Sequence, residues 1–220
     1  MSSDLKVTNI KHESSSSNNL VLASDGSATA TLSSTSVVPA SVGGVMVFLE
    51  KFTASSTASK VFDLTAFTSY NNYVFKLNAI LSATDNVTLK VLVGTSSADA
   101  DMFDSSQTNR LAQGHSFYDG NSSGGGNDQI SNDTFIKLNL LGNNSGYGTS
   151  GTINLFNPRN SSINTSAKAE IVTQNANEYT QSRNLGTYRT GASNDAYIKF
   201  FFSSGNIASG TITLYGIKDA

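Results

Sequence analysis

Apolar residues recur at every second position over short stretches of this chain, and small polar residues separate the stretches. The pattern is densest near the C-terminus, in DAYIKFFFSSGNIASGTITLYGIK over 195–218. There Ile198, Phe200 and Phe202 fall on one side of an extended backbone and Tyr197, Lys199 and Phe201 on the other. Thr211, Thr213, Tyr215 and Ile217 likewise alternate with Ile212, Leu214 and Gly216. Two strands are predicted. Their connection, 203–210, is too long for a two-residue turn and too short for a crossover helix, and it carries Gly205 and Gly210. The two strands are therefore expected to pair antiparallel.

The same signal recurs upstream. VMVFLEKF (45–52) is the first dense apolar run and is expected to open the globular body. VFDLTAF (61–67), NNYVFKLNAIL (71–81) and NVTLKVLVGTS (86–96) predict three further strands, with turn signals at 68–71 and 83–86. Tyr73, Phe75, Leu77 and Ala79 are expected to line one core face, and Val87, Leu89, Val91 and Val93 another. Residues 96–133 are the least regular. With Gly124, Gly125 and Gly126 among Ser, Asn and Asp, they predict a long loop holding at most a short strand at GHSFYD, 114–119. Strands resume over 135–141, 152–156, 167–173 and 179–188. The count, roughly ten, predicts an all-β fold: an antiparallel jelly-roll-like β-sandwich over 45–220.

Residues 1–44 differ. Leu5, Val7 and Ile10, then Leu20 and Leu22, then Ala28, Ala30 and Leu32 form short alternating runs, none bulky enough to make a core alone. Such a segment is either a low-complexity tail or an extended N-terminal arm that orders by adding strands to a neighbour. The threefold recurrence of the alternation favours the arm.

Composition and charge remove several functions from the expectation. A net charge of -2 with no basic run gives no electrostatic drive toward nucleic acid. The chain has no cysteine, so disulfides, thiolate metal sites and cysteine nucleophiles do not arise. No apolar stretch approaches the roughly 20 residues that span a bilayer, and MSSDLKVTNIKHE lacks the apolar centre of a signal peptide. No membrane insertion is expected.

Charged residues make up only 14% of the chain, which leaves few candidates for general acid–base chemistry. His12 and His115 lack a metal-binding frame. Asp99, Asp101 and Asp104 lack the glycine turn and closing glutamate of a calcium loop, and Glu50 and Asp63 each stand alone among apolar neighbours. No catalytic residue, metal or cofactor is expected, and the protein is not expected to be an enzyme. Tyr118, Tyr147, Tyr179 and Tyr188 lie in or beside the predicted loops with Asn and Asp nearby. Such aromatics suit either a sugar face or a subunit contact, and the absence of tryptophan weakens the sugar reading.

Three passages carry a resemblance. SSGNIASGTITLYGIK, at the C-terminus, resembles the closing strand of a β-sandwich module found in structural proteins of tailed bacteriophages. FDLTAFTSYNNYVFKLNAILSATDNVTLKVLVGTSS resembles the opening of the same module. The succession LKVTNI, SSSSNN and LVLASDGSATATL is similar to the N-termini of marine phage fibre-like and adhesin-like proteins.

The resemblance covers 45–218 and is strongest at its two ends. It implies a homotrimeric virion surface protein, a short head or tail fibre or a capsid decoration protein, made in the host cytoplasm and located in the virion. Leu5, Val7, Ile10, Leu20 and Leu22 would belong to the arm that anchors it to other virion proteins of the capsid or tail. The alternative is a tail-fibre or adhesin module that binds a host surface glycan or protein through loops carrying Phe117, Tyr118, Tyr147 and Tyr188. An arm of about 45 residues reaches at most roughly 150 Å, which suits a short fibre or decoration protein better than a long fibre. A depolymerase would need carboxylate pairs that do not emerge.

Overall fold

The computed structural model describes the backbone of residues 9–10, 20–22, 28–30, 46–97, 110–119, 126–131, 136–174, 180–189 and 194–218, and the side chains of 46–97, 138, 142–174, 182 and 194–218. The chain forms two compact units. The first is Met1–Gly43 with Ala220, and the second is Gly44–Asp219.

In the first unit, β1 (Asn9–Ile10), β2 (Leu20–Leu22) and β3 (Ala28–Ala30) form a small antiparallel sheet, with Ile10 opposite Leu20 and Leu22 opposite Ala28. Leu5 and Val7 lie outside the described residues.

The second unit is an all-β sandwich of two antiparallel sheets. Its strands are β4 (Met46–Thr53), β5 (Ser59–Asp63), β6 (Asn72–Ser82), β7 (Val87–Gly94), β8 (Arg110–Asp119) and β9 (Gly126–Ser131). They continue with β10 (Ile136–Leu141), β11 (Thr149–Phe156), β12 (Ser166–Gln174), β13 (Thr180–Arg189), β14 (Tyr197–Phe202) and β15 (Ile207–Ile217). One sheet has the order β10-β7-β14-β5, and the other β4-β15-β6-β11-β12-β13-β8-β9. If β8–β9 and β12–β13 are set aside, the remaining strands run first, last, third, sixth in one sheet and second, seventh, fourth, fifth in the other. That is the strand order of a jelly roll. The β12–β13 and β8–β9 hairpins extend the larger sheet beyond β11.

Those hairpins correct the expectation of a long loop over 96–133. Arg110–Asp119 pairs along its whole length with β13, from Arg110 opposite Arg189 to Asp119 opposite Thr180, and β9 pairs with it on the other side. The segment is too polar to announce a strand by its own alternation. A preformed sheet edge offers a row of hydrogen-bonding groups that polar residues fill as well as apolar ones, so tertiary context decides.

The terminal pair is corrected as well. β14 and β15 do not pair with each other: β14 lies between β5 and β7, and β15 between β4 and β6. The connection crosses from one sheet to the other. It is held by Ser203 N donating to Thr88 O (2.9 Å), Asn206 Nδ2 to Ser56 O (2.9 Å) and Ala83 N to Asn206 O (2.9 Å), and Gly205 takes φ 72 beside Thr84. Placing one strand in each sheet turns the apolar faces of both into a single core, which a hairpin within one sheet would not do.

Two smaller differences have local causes. The expected strand VFDLTAF stops at Asp63, whose carboxylate accepts from Thr65 N (2.8 Å) and Thr65 Oγ1 (2.6 Å) and so caps a 3-10 turn, Leu64–Ala66. Ala79, expected in the core, is exposed with φ 50, and Ile80 is buried instead. An extra residue there shifts the register against both neighbours: Leu77 faces Gly151 while Ile80 faces Thr149, and Asn78 faces Thr211 while Leu81 faces Ser209. Such a bulge reverses which side chains point inward.

At the centre of the core Phe62, Phe75 and Phe200 meet across the two sheets with ring centroids 5.3 to 5.8 Å apart. Each such side chain stabilises the fold by about 1.5–3 kcal/mol on burial. Glu50 and Asp63 are not isolated, because Glu50 pairs with Lys60, whose ammonium also lies 4.7 Å from the Phe62 ring centroid, and Asp63 caps the turn.

Candidate functional site

One end of the sandwich is built from two turns, 64–71 before β6 and 157–165 after β11. The first is tied down at Leu64, fully buried, whose N–H donates to Ala196 O (2.8 Å). The Tyr70 ring then lies flat against Gly216 of β15, where a Cβ would come within 2.5 Å of it. The glycine of TLYGIK is thus needed to seat the tyrosine of the SYNNY turn. In the second turn Asn157 takes φ 53, a conformation that Asn tolerates better than most residues. Pro158 O accepts from Asp195 N (2.6 Å), and the buried Asp195 carboxylate accepts from Thr165 Oγ1 (2.6 Å). Asn160 Oδ1 accepts from Ser162 N (2.8 Å) and Ile163 N (3.1 Å).

Arg159 joins the two turns. Its Nη2 donates to Thr68 O (2.9 Å) and Tyr70 O (3.1 Å), with Phe67 O at 3.5 Å, and its Nε donates to the Tyr73 hydroxyl (3.2 Å). The Tyr73 hydroxyl in turn donates toward Phe67 O (2.9 Å) and Tyr70 O (3.0 Å). Between the turns lies a cleft of about 270 Å³, lined by Tyr70, Asn71, Asn157, Arg159, Asn160 and Ser161. A fixed guanidinium, three amides, a hydroxyl and a phenol suit recognition of a polar ligand.

Burial pushes the Tyr73 hydroxyl above its ordinary value of 10.0, an effect that the hydrogen bond and charge of Arg159 partly oppose. Because the folded value is raised, the associated stability is fully present below the unfolded value and is lost as pH rises through the folded one. Tyr73→Phe is therefore expected to flatten the fall of melting temperature above about pH 10, while costing about 1–2 kcal/mol at neutral pH through the hydrogen bonds it removes. Calorimetry of both proteins across that range checks this, and an alkaline limb identical in the two would refute it.

The residues expected to bind a receptor are spread over β8, β13 and the β10–β11 turn. Phe117 and Tyr118 stand within β8, opposite Ser182 and Gln181, and Tyr188 stands within β13, opposite Ser166 and Leu111. All three are strand positions rather than loop positions, and their side chains lie outside the described residues. Tyr147 does lie in a turn, between β10 and β11, where its N–H donates to Asn144 O (2.9 Å). Its hydroxyl is buried with no hydrogen-bond partner among the described residues. That turn adjoins the β6–β7 connection, through Asn143 N donating to Asp85 Oδ1 (3.3 Å), and so lies at the end of the sandwich opposite the cleft. His12, Asp99, Asp101 and Asp104 lie outside the described residues, and among the described residues no cluster of His, Asp and Glu could hold a metal.

Sequence reasoning missed Tyr70 and Arg159. The available signal was NPRN directly after a strand, a cation in a turn with no acidic residue beside it.

A second surface carries exposed apolar side chains among polar ones. On the side of the larger sheet facing away from the core, Phe48 meets Tyr215 edge to face at 6.2 Å. The pairing register sets Met46 opposite Ile217, Ile217 opposite Asn72, and Asn72 opposite Phe156. Phe48 is 58% exposed, and Met46 and Phe156 are each 38% exposed.

No protein-family profile, curated protein or solved structure matches the chain.

Proposed function

We propose that the protein is a structural component of a tailed-phage virion surface, a short fibre or capsid decoration protein whose N-terminal unit anchors an exposed, trimeric sandwich. The observation that carries this reading is the jelly-roll body, Gly44–Asp219, joined to a separate small N-terminal unit. The exposed apolar side chains Met46, Phe48 and Phe156, on one face of the larger sheet, support self-association, since a subunit contact would cover them. A second reading, an adhesin or tail-fibre module binding a host surface glycan or protein, is favoured by the polar cleft at Arg159.

Gold-labelled antibody on purified particles, together with an adsorption assay, separates the two. The architectural reading expects labelled particles and no block of adsorption by purified protein, and a block would overturn it. Sedimentation is expected to give a trimer that the double substitution Phe48→Lys, Phe156→Lys converts to a folded monomer. A wild-type monomer at every concentration would remove the trimer.

A further inference from the structure

We infer that the cleft beside Arg159 binds the carboxylate of a single acidic sugar residue, of the uronic-acid class. The inference concerns ligand chemistry alone and holds for either an architectural or an adhesive protein.

Arg159 carries the argument. Its Nε and Nη2 are spent on a tyrosine hydroxyl and three backbone carbonyls, all neutral acceptors. None of these contacts is to a carboxylate, so the guanidinium keeps its charge available to a ligand. Nη1, with two N–H donors, has no partner among the described residues. The four contacts fix the plane of the guanidinium before any ligand arrives, which removes the ordering cost that a mobile arginine would meet on binding.

The surrounding groups define the ligand further. The Asn160 carbonyl oxygen is occupied by Ser162 N and Ile163 N, so its amide N–H groups remain as donors. The Asn157 side-chain amide, the Ser161 hydroxyl and the Tyr70 hydroxyl make no hydrogen bond to the described residues. Such neutral donors and acceptors match sugar hydroxyls. No second cation lines the cleft, so one positive charge is matched by a carboxylate's single negative charge rather than by a phosphate dianion. The volume, about 270 Å³, falls just below the roughly 300 Å³ at which pockets for drug-sized ligands begin, and so suits one ring rather than an oligosaccharide.

The test is a nuclear magnetic resonance titration of the full chain with sodium glucuronate, with glucose and inorganic phosphate as controls. Glucuronate is expected to bind in the millimolar range, to perturb the signals of Arg159, Asn157 and Asn160, and to weaken as salt is added. Glucose and phosphate are expected to bind at least about tenfold more weakly, because each loses either the charge or the match of charge. Asn157→Asp keeps a residue that tolerates positive φ and sets a carboxylate beside the guanidinium. It is expected to abolish glucuronate binding with the melting temperature retained. Arg159→Lys, which cannot present the planar fork, is expected to weaken binding about tenfold if it folds. Glucose or phosphate binding as tightly as glucuronate, binding indifferent to Asn157→Asp, or no perturbation of these residues at high millimolar glucuronate would each overturn the inference.

Discussion

Leu214→Asp is expected to abolish folding. Leu214 is fully buried in β15, the strand that lies between β4 and β6, where it stands opposite Glu50 on one side and Phe75 on the other. Its side chain belongs to the same core as Phe62, Phe75 and Phe200. A carboxylate there would meet no donor supplied by that apolar core. The penalty, several kcal/mol for an unpaired buried polar group plus the lost leucine burial, is comparable to the whole stability of a typical domain, about 5–15 kcal/mol. Lys218→Ala, four residues further on and exposed, is expected to leave the melting temperature within about a degree. Circular dichroism melts of the two variants check the pair. A soluble Leu214→Asp protein with a cooperative transition near the wild-type temperature would mean that this face of β15 meets solvent.

The sharp contrast between neighbours in that strand explains what could be read from the sequence. Where a strand is buried on one face, period-2 alternation is enforced by the core, and the sides of 197–202 and 211–217 are legible residue by residue. The alternation identifies strands but not their partners. β14 and β15 look like a hairpin because they are adjacent and similarly patterned, yet each finds its neighbours in a different sheet. Legibility also fails where a strand is templated, as in β8, and where one inserted residue shifts the phase, as at Ala79.

The candidate site was harder to read for a related reason. Arg159 grips carbonyls of Thr68 and Tyr70 that lie about ninety residues earlier in the chain. Backbone carbonyls have no residue signature, so nothing in the sequence of 67–70 says that a cation will sit on them. The aromatic residues that did stand out, Phe117, Tyr118 and Tyr188, drew notice by their Asn- and Asp-rich surroundings. That composition proved compatible with a hydrogen-bonded strand in an extended sheet.

Deleting residues 1–44 is expected to leave a folded sandwich that no longer enters particles. Among the described residues, every member of the hydrophobic core lies between Ala54 and Leu214, and the first body strand, β4, starts at Met46, so the cut removes no strand of either sheet in this unit. The melting temperature should therefore move by no more than a few degrees. A cut after Thr53 gives the contrast. It removes β4 and with it Leu49 and Phe52, which pack against the core, and it leaves β15 as an unprotected sheet edge, so that protein is expected to aggregate. Complementation of a particle lacking the protein then reads the function. The shorter deletion should fold as well as the full chain and yet be missing from purified particles, because the anchoring strands have gone while the displayed body is intact. An unfolded 45–220 fragment would place part of the arm in the core. A folded fragment that incorporates normally would instead assign attachment to the sandwich, and the apolar face around Phe48 and Phe156 would then be the surface to mutate next.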